Sequence, residues 1–484
     1  MKHVCLWLLP WISIVCPTLC YTSHSYSAER PNFVFLIADD HRYDAMSCVQ
    51  HEQAEAGRFP WFKTPNMDRL AAEGTRFRNS FVTLSLCSPS RACFLTGQYG
   101  HRNGIWNNTT PLGEQSATYA SLLQKADYST GYVGKWHMGN QSARPGFDWF
   151  ASPTGQSRYL DPIFLLNGTP TPQSGWIDDI SGDFAVRFLE SERNPEKPFL
   201  LSVGFKSPHG PFDPPTRLKD IFSGELSNPL PNHGIKPGFN PQLSSARPAA
   251  NPEGKIPVNL NYFRCIAGID ENVGKILKAL DRLGLSQNTV VVYTSDNGFY
   301  LGEHGLGDKR SAYDESLRIP LIIRDPRTSS RGTLSDEIVL NIDIAPTFLD
   351  LAGAEVPQAM QGKSIQPLLA RTPTSEPFRT SFFYEYFFER GGKPQLNQGA
   401  GTVPGAGGYN TPTTTAVRTL THKLIKYQDH PEWTELFDLR SDPYETRNLV
   451  SDFAQHDVLQ QLEAEYDRLA QVVDYTLPAG LEKP

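Results

Sequence analysis

Five consecutive residues, Cys87-Ser88-Pro89-Ser90-Arg91, with Leu95-Thr96-Gly97 behind them, set the chemistry this chain can perform. They lie between an acidic pair and an acid–amide pair. Asp39-Asp40 follows the apolar run Asn32–Ala38, and Asp296-Asn297-Gly298 follows Val291–Ser295. Carboxylates and an amide oxygen are hard ligands, suited to Ca²⁺ or Mg²⁺ and ill suited to zinc. Neighbouring residues on a strand point to opposite faces, so Asp39 and Asp40 can share one ion only if the strand breaks there. The polar run Asp39-Asp40-His41-Arg42 predicts that break. Basic groups recur in Gly134-Lys135-Trp136-His137, Ser207-Pro208-His209-Gly210-Pro211 and Leu306-Gly307-Asp308-Lys309-Arg310. Fixed cations beside a metal suit an anionic ester whose leaving oxygen gathers charge during cleavage. Alone, an Asp-Asp pair reads as solvated loop and a cysteine as a packed apolar residue; the combination is what argues for a site.

The elements that must position these residues alternate. Apolar runs at Asn32–Ala38, Thr130–Val133, Phe199–Val203 and Thr289–Thr294 read as buried parallel strands. Further strands are expected at Arg76–Val82 and Arg318–Ile323. Helices are expected after Thr64-Pro65, at Ser90–Leu95, Tyr119–Lys125, Phe184–Glu190, Tyr262–Leu283 and Ala345–Leu351. This pattern predicts the α/β class, with a large, mostly parallel sheet covered by helices on both faces. Ligands of such sheets sit beyond the carboxyl ends of the strands, where Asp39, Lys135, His209 and Asp296 all fall. Short strands at Ser381–Phe387, Thr414–Arg418, Lys423–Tyr427 and Glu435–Leu439, then a helix over Asp452–Val472, predict a smaller α+β domain with an antiparallel sheet. The expected division is a leader over 1–25, a catalytic domain over 30–375 and the small C-terminal domain over 376–484. Lys206–Pro257, with eleven prolines, and Gly391–Gly408, with seven glycines, read as irregular.

The spacing C-x-P-S-R-x-x-x-L-T-G resembles that of the type I sulfatases of the alkaline phosphatase superfamily. Gly134–His137 is similar to their G-K-x-H signature and Ser207–Pro211 to their P-H-x-P segment. Asp127 stands where that signature usually begins with glycine, a turn position remote from the chemistry. The resemblance runs from about Pro31 to Leu449. It implies that a formylglycine-generating enzyme oxidises Cys87 to formylglycine (3-oxoalanine). The hydrated aldehyde carries two hydroxyls. One attacks sulfur and expels the alcohol; the other loses its proton, the carbonyl re-forms and sulfate leaves. By the same resemblance, Asp39, Asp40, residue 87, Asp296 and Asn297 hold Ca²⁺, with Mg²⁺ as the alternative. Lys135, His209 and Lys309 bind sulfate, and Arg91 orients the gem-diol. His137 takes the proton that releases sulfate, while His209 protonates the leaving alcohol. Gly302-Glu303-His304-Gly305 lies close enough to Lys309 to put His304 at the pocket mouth as a substrate contact.

Tyr384–Phe387, the Gly302–Gly305 loop and Val417-Arg418 resemble sulfatases acting on sulfated sugars. They point to N-acetylglucosamine-6-sulfate and related glycosaminoglycan or mucin units, although Phe382–Phe388 reads equally well as a buried strand. The rivals are a phosphonate or phosphodiester hydrolase of the superfamily, an aryl or choline sulfatase, a thiol enzyme using unmodified Cys87 and a non-enzymatic sulfoglycan binder.

The 484 residues imply two domains, and a net charge of −7 without a basic block argues against nucleic acid as a partner. Lys2 and His3 before the apolar Leu6–Val15 read as a signal peptide, too short to cross a bilayer, hence a secreted or periplasmic protein without stable membrane insertion. Cys16 and Cys20 raise lipoprotein anchoring, but Val15 and Leu19 precede them where a small residue is needed. Of seven cysteines, three would leave with the leader, and conversion of Cys87 would leave an odd three. No disulfide framework is expected, though one bridge remains open.

Overall fold

The computed structural model describes Met1 and residues 30–139, 144–241, 248–372, 375–388, 411–479 and 481. The expected leader and the glycine-rich stretch 391–408 lie outside the described residues. Ten strands form one sheet. In spatial order they are Thr333–Leu340, Thr75–Phe81, Leu321–Arg324, Thr289–Ser295, Asn32–Ala38, Phe199–Gly204, Ser129–Gly134, Trp149–Pro153, Ile163–Leu166 and Thr169–Pro172. Asn32–Ala38 is central, parallel to both Phe199–Gly204 and Thr289–Ser295. Leu321–Arg324 runs antiparallel to both its neighbours, so the sheet is mixed.

The central strand shows why the sheet is covered on both sides. Val34, Leu36 and Ala38 enter one apolar core, packed by the Leu260–Arg282 and Ile177–Arg187 helices. Phe33, Phe35 and Ile37 enter the other, packed by Tyr119–Lys125 and Ile344–Leu351. A strand apolar at every position can only lie between two cores. A second sheet joins Ser381–Tyr386, Thr414–Thr419, His422–Tyr427 and Glu435–Asp438, all antiparallel, and the His456–Val472 helix packs its Leu462 and Leu469 into their core. That core also takes Phe81, Tyr300 and Tyr313 from the large sheet and its loops.

Sequence reading missed four strands of the large sheet: Trp149–Pro153, Ile163–Leu166, Thr169–Pro172 and Thr333–Leu340. It also missed the Ser47–Gln53 helix. Trp149–Pro153 and Thr169–Pro172 carry proline and Thr333–Leu340 begins polar, so none of these shows the continuous apolar run of a buried strand, while Ile163–Leu166 is apolar but only four residues long. Thr64 precedes its helix as expected, yet its hydroxyl bonds Ser47 instead of capping. Cys48, Cys87, Cys93 and Cys265 are all unpaired. Among the described residues, no helix is long and apolar enough to cross a membrane.

Candidate active site

Six segments of the chain converge beyond the carboxyl ends of the central strands. The first strand ends at Ala38, and Asp40 takes a left-handed φ of 70°, which is the break that lets Asp39 and Asp40 face one point. Asp296 donates its N–H to Ala38 O at 3.0 Å, and Asp40 N–H reaches Asp296 Oδ1 at 3.2 Å. Ligand atoms of Asp39, Asp40, Cys87 and Asp296 all lie within 4.8 Å of one another, and every one of these side chains is buried. Gly298 closes the turn: a Cβ there would sit 2.1 Å from Glu315 O, so no other residue fits.

Cys87 opens the Cys87–Thr96 helix, whose ten residues are all buried. Its Sγ donates to Asp39 Oδ1 at 3.3 Å. Burial, then Asp39, pushes the thiol far above its ordinary range, so unmodified Cys87 is a poor source of thiolate. Arg91 follows one turn later. Its Nε donates to Asp296 Oδ2 at 2.8 Å and its Nη1 to Lys135 O at 2.9 Å, while Nη2 is buried without a partner among the described residues. Lys135 extends from the strand end at Gly134, where φ is 82° and a Cβ would meet Gly204 O at 2.1 Å. The Lys135 ammonium bonds Asp39 Oδ2, and Lys309 Nζ bonds Asp40 at 2.6 and 2.8 Å.

The carboxylates feel each other. Burial, then repulsion from Asp39, lifts Asp296 to about 7. Burial also raises Asp40, with Lys309 opposing and Asp39 adding. Burial pushes Asp39 up as well, but Lys135, His209, Arg91 and Lys309 together hold it well below the usual range. Acids crowded this closely are the environment a dication relieves. Asn297 fits the same purpose: its Nδ2 donates to Asp40 Oδ1 at 2.6 Å, and its Oδ1 is buried without a partner among the described residues. An all-oxygen set from three acids and one amide, beside residue 87, suits a hard dication.

Two imidazoles complete the cluster. His209 Nδ1 pairs with Gly210 O at 2.7 Å, which assigns the proton to Nδ1 and leaves Nε2 as the acceptor. A ring nitrogen of His209 lies within 4.8 Å of both Asp39 and Cys87 ligand atoms. Burial lowers its pKa well below the ordinary value, against the pull of Asp39. Burial, then Lys135, does the same to His137, whose Nε2 meets Gln156 at 3.3 Å and whose Nδ1 has no partner among the described residues.

His304 is the exception. The Gly302–Gly305 turn folds back onto the proline-rich excursion, where His304 N–H donates to Asn232 O and Glu303 bridges His233. The His304 ring is 1% exposed and lies flat on Tyr313, centroids 3.9 Å apart. Its described contacts are with that layer and not with the reactive cluster, which corrects the expectation of a pocket-mouth substrate contact. The neighbouring Glu303 has a structural task, pairing with Arg42 and Arg58.

Sequence reading passed over Lys206. This lysine is 2% exposed, with Nζ 4.8 Å from the Tyr159 ring centroid. Burial, then Lys135, lowers its pKa to about 8. Its backbone N–H and that of Ser207 donate to Asp178, and the Tyr159 hydroxyl holds His209 O. Lys206 therefore sits in the frame that holds His209. The available signal was a lysine directly after the apolar Phe199–Phe205 run.

The sulfatase family pattern matches residues 31–354, two-thirds of the chain. The chain belongs to the sulfatase family. It is a sulfuric ester hydrolase. A second pattern, described as the C-terminal region of N-sulphoglucosamine sulphohydrolase, matches residues 407–472. This sulfatase is 32% identical to an N-acetylglucosamine-6-O-sulfatase of Bacteroides thetaiotaomicron, over 92% of this chain and 88% of that one. It is 27% identical to the N-acetylglucosamine-6-sulfatase of Capra hircus, over 87% and 80%. A solved structure described as a complex with its substrate D-glucosamine-2-N,6-O-disulfate superposes with a TM-score of 0.79 at 30% identity. It covers 94% of this chain and 100% of that one.

Proposed function

We propose that this sulfatase hydrolyses sulfate monoesters on sulfated carbohydrate, with 6-O-sulfated glucosamine units such as N-acetylglucosamine-6-sulfate as the preferred substrate. One observation carries the reading: Asp39, Asp40, Cys87 and Asp296 meet within 4.8 Å, flanked by Lys135 and Lys309. The relatives named above, two of them acting on N-acetylglucosamine-6-sulfate by name, supply the sugar.

Asp39, Asp40, Asp296, Asn297 and residue 87 would hold the metal, taken here as Ca²⁺. When bound, it supplies charge for one sulfate oxygen and acidity for the nucleophile. Formylglycine at position 87 supplies the attacking hydroxyl in its hydrated form. Cys87 is 1% exposed, so conversion by a formylglycine-generating enzyme precedes closure of the fold over it. Lys135 and Lys309, held by Asp39 and Asp40, bind the sulfate oxygens. Arg91, fixed on Asp296 and on Lys135 O, orients residue 87 one turn before it. His137 is neutral and accepts a proton. His209 is also neutral in the free enzyme, so it cannot yet act as an acid. An arriving sulfate ester adds negative charge beside it, raises its pKa and lets Nε2 take up the proton it later gives to the leaving alcohol. The N-terminal leader reading makes the enzyme secreted or periplasmic; the N-terminus of the mature protein recovered outside the cytoplasm tests it.

Turnover is measured on N-acetylglucosamine-6-sulfate, other sulfated sugars, choline sulfate, an aryl sulfate and matched phosphate diesters. The sulfated glucosamine should be fastest. Preference for choline sulfate, aryl sulfate or the phosphate diesters overturns the substrate reading. Chelation should abolish turnover, and Ca²⁺ should restore it better than Mg²⁺.

A further inference from the structure

Away from the reactive cluster, a cavity of about 200 Å³ lies against the strand Thr75–Phe81, lined by Arg76, Arg78, Arg318, Glu52, Tyr43 and Tyr444 among others. Three arginines and one acid, Glu52, line it, and Asp336 lies just outside the lining. Arg76 is 7% exposed at its side chain, and its one described ion pair is with Glu52. Arg78 shares the same carboxylate at 2.6 Å and reaches Asp336 at 3.0 Å. Arg318 has no ion pair among the described residues. Its Nε donates to Arg78 O at 2.7 Å, and its guanidinium lies 4.4 Å over the Tyr43 ring. Burying a cation without a matching anion is costly, and Arg78 Nε is buried with no acceptor among the described residues. Burial, then repulsion from Arg78 and Arg318 against the pull of Cys48, lowers the Arg76 pKa. An oxyanion entering the cavity relieves that repulsion and can take several N–H donors at once.

We propose that this cavity is a second oxyanion site, which takes a sulfate or carboxylate group other than the one being hydrolysed. Sheet register gives its distance from the first. Arg76 pairs with Ile322, Ile322 with Tyr293 and Tyr293 with Leu36, which is three residues before Asp39. Three strand spacings of ~4.8 Å and three rises of ~3.3 Å separate Arg76 from Asp39 by roughly 17 Å. One sugar ring cannot span that distance, so a substrate with anionic groups in both sites at once is an extended chain. This part rests on the carbohydrate reading above; binding of the oxyanion itself does not.

Two measurements on the holoenzyme test the site. Equilibrium dialysis with labelled inorganic sulfate counts ions per chain without turnover. Wild type should bind one more than Arg318→Gln. KM for a sulfated hexasaccharide should then rise about tenfold in Arg318→Gln, with kcat and the KM for a sulfated monosaccharide unchanged. A lower sulfate count with unchanged hexasaccharide KM supports the site as one for the free anion. Equal sulfate counts overturn it, whatever the KM. Should Arg318→Gln fail to fold, Arg78→Gln, at a side chain 32% exposed, is measured instead with the same expectations.

Discussion

Lys423 and Lys135 are both buried lysines, and they are built in opposite ways. Lys423 joins the small sheet to the large domain. Its ammonium donates to Asp314 at 2.7 Å and to the carbonyl of Ala312 at 2.9 Å, and it forms an ion pair with Glu445 at 2.6 Å. Asp314 is filled in turn by Arg418 through Nε and Nη2, at 3.0 and 2.8 Å. Lys135, 1% exposed at the strand end, has one described partner, Asp39. Around it, Arg91 Nη2, Asn297 Oδ1 and His137 Nδ1 are unpartnered among the described residues. A saturated cation holds two layers of protein together. A cation rigidly placed with donors to spare is prepared for an anion that the chain does not contain.

Four experiments press on that contrast. The largest effect is expected from Cys87→Ala, which should lower kcat/KM by at least ~10³-fold with the folded state intact; wild-type rates in this variant would remove residue 87 from the chemistry. Asp314→Ala should do the reverse, costing about 3–5 kcal/mol in urea unfolding because Arg418 and Lys423 lose their partner in the interior. Its kcat well below Tm should stay at the wild-type value. Lys135→Met should lower kcat/KM by roughly 10²-fold without lowering Tm in Ca²⁺. If stability falls and activity survives, Lys135 belongs with Lys423. The smallest effect concerns Glu435, which accepts from Tyr313 and Tyr427 in the same seam. Burial, opposed by those hydroxyls, raises it to about 7. Its folded pKa exceeds the unfolded value of ~4.3, so its contribution is complete below that value and is lost as pH rises through 7. Wild type should therefore lose on the order of 2 kcal/mol relative to Glu435→Gln between pH 5 and pH 8. Parallel pH profiles of Tm for the two proteins would show that Glu435 does not carry this dependence.

Much of the site was legible because strand ends announce themselves. Phe33–Ala38 and Val290–Tyr293 are apolar runs, so the first acids after them had to lie at a sheet end, and parallel pairing brings those ends together. Cys87, Lys135 and His209 came from the resemblance of their local motifs to those of the sulfatases. Side chains whose direction depends on distant partners were not legible. His304 is four residues before Asp308 in sequence, yet the tight turn beside it points the ring at Tyr313. Lys206 acquires its setting from Tyr159 and Asp178, neither marked by any motif. Thr333–Leu340 escaped because its first half is largely exposed, so the helical and strand periods look alike there.

At the far end of the ten-stranded sheet, Thr169–Pro172 pairs Pro172 with Ile163 and Pro170 with Leu165. Prolines cannot serve as the doubly bonded partners in an antiparallel ladder, so their backbones face outward, where they present carbonyls and no N–H. An incoming strand would find half its ladder missing. At the opposite rim, the register slips between Ser335 and Ile338, which bends that edge and sets Asp336 and Glu337 in its path. Both rims thus oppose the edge-to-edge pairing that so long a ribbon of strands would otherwise invite.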